Sequence, residues 1–291
     1  MVFYDKPLWR PPSEANSLIL QATIGCSHNR CLFCYMYRGK RFRVRRWEDL
    51  KSDIDRFSRL LPDTRKVFLA DGDAFVLSPK RLEQILDYLN RSFPRLKRVS
   101  CYASPGNLMK KSAGEMKRLR DRKLTIVYYG VESGDPDLLR RIEKGAGPEE
   151  IEEGCGKAAS AGIKLSVTVI LGLAGKKGSL RHAEETSSLV SKINPRYLSV
   201  LTLMLGQHAG EYEREMGAGF EFNSPADDIR ELRVLIGGLD VEKCIFRSNH
   251  ASNYLSLKGV LNKNRKRLIE TIDQALKDPR FYLRNAQMRG L

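Results

Sequence analysis

Residues 17–34 read SLILQATIGCSHNRCLFC, and this stretch decides the fold. Its first eight residues form a short apolar run closed by Gly25, the pattern of a buried strand. Cys26, Cys31 and Cys34 follow as C-x4-C-x2-C. A strand that runs directly into clustered thiols places chemistry at a strand end, as parallel β/α sheets do.

Working outward, the same unit recurs. Apolar runs at 66–70 (KVFLA), 98–103, 124–129 (LTIVYY), 164–171 (KLSVTVIL) and 197–204 (YLSVLTLM) read as strands. Segments 47–61, 78–92, 111–122, 137–143, 148–161 and 180–193 read as helices. Pro62 stops the first helix. Ser78-Pro79 opens the second, with serine at the N-cap and proline at the first helical position. Alternating strands and helices predict an α/β fold with a parallel sheet. Six units are too few to close an eight-stranded barrel, so the expected architecture is a partial (β/α)6 TIM-like barrel. Residues 1–16 would be an N-terminal extension and 17–205 the barrel. Residues 206–291 would be a C-terminal extension of helices and loops that caps its open side.

Composition excludes several classes. The 291 residues are 42% hydrophobic, enough for a core of this size. Charged residues make up 30%, and no apolar run approaches the roughly 20 residues of a membrane-spanning helix. Residues 1–12 show no apolar signal core and no small-residue cleavage site, so a soluble, cytoplasmic protein is expected. Six cysteines are too few for a disulfide scaffold. Cys101, Cys155 and Cys244 are scattered in apolar or helical contexts and read as buried small hydrophobes.

The 51 Lys+Arg against 35 Asp+Glu give a net charge of +16, which favours acidic or polyanionic partners. The stretch 38–46 (RGKRFRVRR) holds six cations in nine residues. As a strand it would turn Phe42 and Val44 to the core and Arg41, Arg43 and Arg45 to the other face. That face would grip a phosphate backbone or an acidic substrate, or form a solvated basic edge.

Three thiolates can hold three corners of a [4Fe–4S] cluster. With no fourth cysteine nearby, one iron stays open, as in catalytic rather than structural metal sites. A zinc site would need a fourth ligand, and His28 would fold back onto the metal only with strain. A non-catalytic zinc or iron–sulfur nucleic-acid-binding protein therefore shares the cysteines and the charge. It leaves the glycine and acidic motifs at the strand ends unexplained.

The cysteine loop after the first strand of a partial β/α barrel resembles the radical S-adenosylmethionine (SAM) superfamily. The commonest spacing there is C-x3-C-x2-C, one residue shorter than here. Phe33 and Tyr35 are similar to the aromatics that pack by the adenine in that family. Asp71-Gly72-Asp73 stands where the family has a Gly-Gly-Glu-like turn holding the methionine ammonium, with Asp73 reaching directly or through one water. Ser104 ends the third strand and is a further contact by analogy. Gly130-Val131-Glu132-Ser133-Gly134 is similar to the Gly-Ile-Glu-Ser-Gly segment of the oxygen-independent coproporphyrinogen oxidase-like and Elongator-like branches, which contacts the ribose or methionine of SAM. Gly172, within 169–175, resembles the segment whose backbone meets adenine. The tail 247–254 (RSNHASNY) looks like that of stand-alone members.

The resemblance implies reductive cleavage of SAM at the cluster, giving methionine and a 5′-deoxyadenosyl radical that abstracts hydrogen from substrate. It also implies a reducing partner such as flavodoxin or ferredoxin, with RNA or another polyanion as a candidate substrate. Arg247, Asn249, His250 and Asn253 make a dense polar cluster, from which His250 is the candidate catalytic residue or the centre of a self-bonded loop. His182 reads as a surface or capping histidine.

Overall fold

The structure is a computed structural model that describes residues 4–290. Residues 1–3 and 291, the outermost parts of the two expected extensions, lie outside the described residues. In chain order the strands are β1 Leu18–Gln21, β2 Thr23–Ile24, β3 Arg43–Val44, β4 Lys66–Ala70, β5 Arg98–Ala103, β6 Leu124–Glu132, β7 Lys164–Leu171, β8 Tyr197–Thr202, β9 Cys244–Arg247 and β10 Lys258–Leu261. The α-helices are α1 Trp47–Leu60, α2 Pro79–Ser92, α3 Pro105–Met109, α4 Ala113–Asp121, α5 Pro136–Arg141, α6 Pro148–Ser160, α7 Gly175–Ile193, α8 Ala209–Met216, α9 Pro225–Gly238, α10 Arg265–Lys277 and α11 Pro279–Tyr282.

The main sheet has eight strands in the order β1-β4-β5-β6-β7-β8-β9-β10. β1 and β10 stand at opposite ends of that order, so the barrel is open. The pairs β1/β4, β4/β5, β5/β6, β7/β8 and β8/β9 are parallel, and β9/β10 is antiparallel. This is the expected α/β partial barrel. The chain divides into two compact units: Met1–Arg30, Cys34–Tyr129 and Glu153–Leu165 in the first, and Cys31–Phe33, Gly130–Glu152 and Ser166–Leu291 in the second.

In the first unit, Val67, Phe68, Leu69 and Ala70 of β4 are all buried, as a parallel strand covered on both faces requires. α1 buries Leu50 and Ile54, and α2 buries Leu82, Ile85, Leu86 and Leu89. Three expectations are corrected here. The run 17–24 is two strands, because the β1/β4 ladder ends at Gln21↔Ala70 and Thr23–Ile24 pairs antiparallel with β3 instead. The helix expected at 111–122 begins earlier, as α3, and restarts as α4 under a Ser112/Glu115 capping box. In the basic stretch, Val44 is 48% exposed while Lys40 is buried. A two-residue strand with a single neighbour has no covered face, so the alternation argument does not apply to it.

In the second unit, residues beyond 205 contribute two strands where only helices and loops were expected. β9 runs parallel to β8, and β10 returns antiparallel to β9. Each has only four residues, too short to stand out from loop sequence. α7 starts at Gly175, well before residue 180. Gly175 has φ +64°, and a Cβ there would lie 2.5 Å from the Glu221 carbonyl oxygen. The glycine-rich start that looks like a turn is thus a close backbone approach. α7 lies against α9, burying Leu189, Val190 and Ile193 with Leu232, Leu235 and Ile236. Among the described residues no helix is long and apolar enough to cross a membrane.

Candidate cofactor site

Cys26, Cys31 and Cys34 are each partly exposed, whereas Cys101, Cys155 and Cys244 are buried, as expected of core residues. Burial pushes the Cys155 and Cys244 thiols up to about 12 and also raises that of Cys101. Thiols held protonated are poor metal ligands. This leaves the partly exposed trio, three sulfur donors on one short loop of the type an iron–sulfur cluster takes, while among the described residues no three His, Cys, Asp or Glu side chains are gathered as a metal site.

In the first unit the cysteine loop is fixed from below by the turn after β4. The Gly72 N–H donates to the Gly25 carbonyl at 3.1 Å. A Cβ on Gly72 would lie 2.5 Å from a ring carbon of Tyr37, so this glycine is required by packing. Asp73 is fully buried, and burial pushes its carboxyl above the usual range. Its oxygens accept from the Ser27 hydroxyl, from Asn107 Nδ2 at 2.5 Å and from the Ser104 N–H at 3.2 Å. Ser104 Oγ in turn accepts from Asn107 Nδ2 at 2.8 Å. The Arg38 guanidinium sits 4.1 Å above the Tyr35 ring. A cavity of about 880 Å³ in this unit is lined by Leu18, Lys66 and neighbours at the opposite strand ends and includes none of these residues.

In the second unit the end of β6 holds Glu132 at φ +65°, a left-handed conformation that a glutamate adopts only when its surroundings impose it. Its side chain is nearly buried. Glu132 Oε1 accepts from Lys144 Nζ at 3.1 Å, and Oε2 has no hydrogen-bond partner among the described residues. Gly130 makes the space for this carboxylate: a Cβ would stand 1.8 Å from Glu132 Oε1 and 3.0 Å from Lys144 Nζ. Lys144 Nζ also lies 5.8 Å from the Phe33 ring centroid, and the Leu32 N–H donates to the Ile142 carbonyl at 2.9 Å. Lys144 was not singled out in the sequence; its signal is a lone lysine twelve residues beyond Glu132, indistinguishable from surface lysines until its burial is known.

At the end of β7, Gly172 has φ +82° and donates its N–H to Glu231 Oε1 at 3.0 Å. Glu231 also accepts from Ser179 Oγ at 2.5 Å and Asn223 Nδ2 at 3.0 Å, and its Oε1 lies 3.0 Å from His182 Nδ1. His182 Nε2 is 3.3 Å from the Glu132 carbonyl, so one imidazole joins the ends of β6 and β7. His182 is 1% exposed, which corrects its reading as a surface residue. Burial alone would pull its pKa down, but the charge and hydrogen bond of Glu231 carry it above the usual histidine value. Asp228 lies beside Gly172, and burial pushes its carboxyl up to about 7, with the nearby Glu231 charge adding to the rise. The signal for this pair was present as Asp228-x-x-Glu231, which share a helix face with Leu232 and Leu235.

The polar tail is largely closed on itself. His250 Nδ1 accepts from the Ser252 N–H at 3.1 Å, and burial lowers its pKa. Asn253 donates to the Val200 and Ser248 carbonyls at 2.7 and 2.9 Å. Arg289 stacks on Tyr254 at 4.1 Å and donates to the Ser252 carbonyl at 2.6 Å. Arg247 and Asn249 are exposed.

Comparison with known proteins follows the same outline. The sequence model of the Radical SAM superfamily matches residues 20–185, more than half of the chain. The heme chaperone HemW of Bacillus subtilis (strain 168) is 24% identical over 145 residues, which are 50% of this chain and 38% of that protein. The chain thus spans well under half of that relative. Among solved structures, coproporphyrinogen III oxidase (HemN) from Escherichia coli superposes with a TM-score of 0.57 at 17% identity, covering 76% of this chain and 51% of that one. A second, anSMEcpe solved with bound AdoMet, gives a TM-score of 0.56 at 13% identity over 76% of this chain and 58% of that one. These likenesses share the open parallel barrel described above. The chain belongs to the radical SAM superfamily, a family of enzymes that use a [4Fe–4S] cluster and S-adenosylmethionine in radical chemistry.

Proposed function

We propose that this protein cleaves SAM reductively at a [4Fe–4S] cluster held by Cys26, Cys31 and Cys34, and uses the resulting 5′-deoxyadenosyl radical to take hydrogen from a substrate. When bound, the cluster would supply one electron to the sulfonium of SAM and an open iron to the amine and carboxylate of its methionine end. The observation that carries this reading is the Glu132–Lys144 pair, a buried ion pair whose carboxylate keeps one oxygen without a donor. Glu132 Oε2 suits a ligand ammonium or ribose hydroxyl, and Lys144 suits a ligand carboxylate. Together they complement an amino acid zwitterion.

The remaining residues orient and shield. Gly72 and Gly172 let the Tyr37 ring and the Asp228 carboxylate pack directly on the backbone of the strand ends, which fixes the two turns. Tyr35, held under Arg38, offers an aromatic face to the adenine. His182 and Glu231 fix the peptides of Glu132 and Gly172. With Nδ1 accepting from Ser252, a neutral His250 carries its proton on Nε2, where it can serve as a donor to substrate. The net charge of +16 supports an acidic substrate, RNA or a carboxylated porphyrinogen of the kind named by the HemN likeness, and an acidic flavodoxin- or ferredoxin-type electron donor.

Anaerobic reconstitution tests this reading. The expected result is a brown protein with broad absorption around 400 nm that releases 5′-deoxyadenosine from SAM on reduction. A colourless protein that retains stoichiometric zinc and ignores SAM would instead support the non-catalytic binder.

A further inference from the structure

The geometry points to Asp73 as a positioning residue for Cys26: the Asp71-Gly72-Asp73 turn braces the cluster loop from both sides, and the Asp73 carboxylate does not hold the methionine end of SAM. This rests on the proposal that Cys26 is a cluster ligand. The brace is built from neighbours of that cysteine. Gly25, immediately before it, donates its N–H to Asp71 Oδ2 at 3.1 Å and accepts from the Gly72 N–H at 3.1 Å. Ser27, immediately after it, donates its hydroxyl to Asp73. Both carboxylates are 0% exposed. Asp71 is further tied to Lys40 Nζ at 3.0 Å, which also donates to the carbonyls of Asp5 and Pro7 at 2.6 Å each. Asp73 is tied to the end of β5 through Ser104 and Asn107.

Two physical consequences follow. Three internal donors surround the Asp73 carboxylate, and a group so enclosed has little reason to face a ligand. The Gly25 backbone before Cys26 and the Ser27 hydroxyl after it are anchored to the turn after β4, and through Asp73 to the segment after β5, so the sulfur is presented on a braced loop. Outer residues of this kind set ligand geometry and affinity in metal sites. The hydroxyl of Ser27, donating to Asp73, is also kept from donating to a cluster sulfur, and such hydrogen bonds tune cluster potentials.

The test separates bracing from SAM binding with reconstituted full-length protein. Iron retention is measured against a chelator, the cluster midpoint potential by redox titration, and SAM affinity per remaining cluster from the EPR spectrum of the reduced protein. Asp73→Ala is expected to speed iron loss roughly 10–100-fold, with SAM affinity per cluster changed by less than about threefold. Asp73→Ala, which frees the Ser27 hydroxyl to reach a cluster sulfur, is also expected to shift the potential, while Ser27→Ala, a change in a partly exposed loop that keeps the protein folded if Asp73→Ala does not, is expected to speed iron loss in the same direction and leave the potential in place. The double variant Ser27→Ala/Asp73→Ala should fall short of the sum of its parts, as for two ends of one hydrogen bond. Unchanged iron retention and potential with a large loss of SAM affinity would overturn the brace and return Asp73 to the ligand. Cys26→Ala is the control: if it keeps its iron, the ligand assignment fails rather than the role of Asp73.

Discussion

The turns after β4 and β6 each bring an acid to the end of a parallel strand, and the two acids are in opposite states. Asp73 is enclosed by three neutral donors and ties one backbone segment to another. Glu132 sits on a left-handed backbone with one oxygen on Lys144 and the other without a partner among the described residues. An unsatisfied buried oxygen costs stability, about 1–3 kcal/mol for a polar group and more for a charged one. A protein tolerates that cost where a ligand later completes the bond. The same motif position can thus serve the scaffold or the ligand, and the count of internal donors tells which.

Removing the cluster that both turns are proposed to serve breaks the comparison most completely. Cys31→Ala should lose all bound iron and all 5′-deoxyadenosine formation, while Cys155→Ala should keep both. Iron analysis and nucleoside chromatography read this out, and cleavage surviving in Cys31→Ala would remove the ligand assignment.

The next effect concerns the acid beside Gly172, at the end of β7. Asp228 titrates near 7 in the folded protein against 3.8 unfolded, so the folded state holds the extra proton between those values. Stability from this group is therefore full at low pH and declines as pH rises from about 4 to about 7, by on the order of 4 kcal/mol in total. His182, also raised, adds a decline in the same direction, starting from its unfolded value and continuing through its folded one. Urea melts at pH 5 and pH 8 should show the difference, and Asp228→Asn should shrink it. A wild-type protein equally stable at both pH values would show that Asp228 is not held protonated.

Glu132→Gln sharpens the contrast directly. It should weaken SAM binding roughly 10–100-fold, the worth of one hydrogen bond to a charged group, with iron content unchanged. Gly130→Ala should do the same by steric displacement of the carboxylate. Equal SAM affinity in both variants would mean the open oxygen serves no ligand. At the small end, Val44→Thr on the uncovered β3 should alter stability by less than about 0.5 kcal/mol. A thermal-melt loss of several degrees would show that a partner layer covers this strand.

Much of the fold was legible because its signals are local. Apolar runs of five to eight residues, Pro62, and Ser78-Pro79 mark elements without reference to the rest of the chain. Where a run was too short to stand out from loop sequence, as in β9 and β10, or where alternation assumed a covered face, as at Val44, the reading failed. At the site, the cysteine loop and the glutamate of Gly130–Gly134 stand out by type and position. Lys144, His182 and Glu231 do not, because a lysine, a histidine and a helical acid look like surface residues until burial is known.

The sequence alone determined the succession of apolar segments through residue 204, the residue types at their ends and the family, since each depends on neighbours along the chain. Only the tertiary structure decided what each polar group does. Asp73 meets Ser104 and Asn107 across 31 and 34 residues, and Gly172 meets Glu231 across 59. Whether a buried oxygen is satisfied or left for a ligand depends on donors that folding brings from that far away.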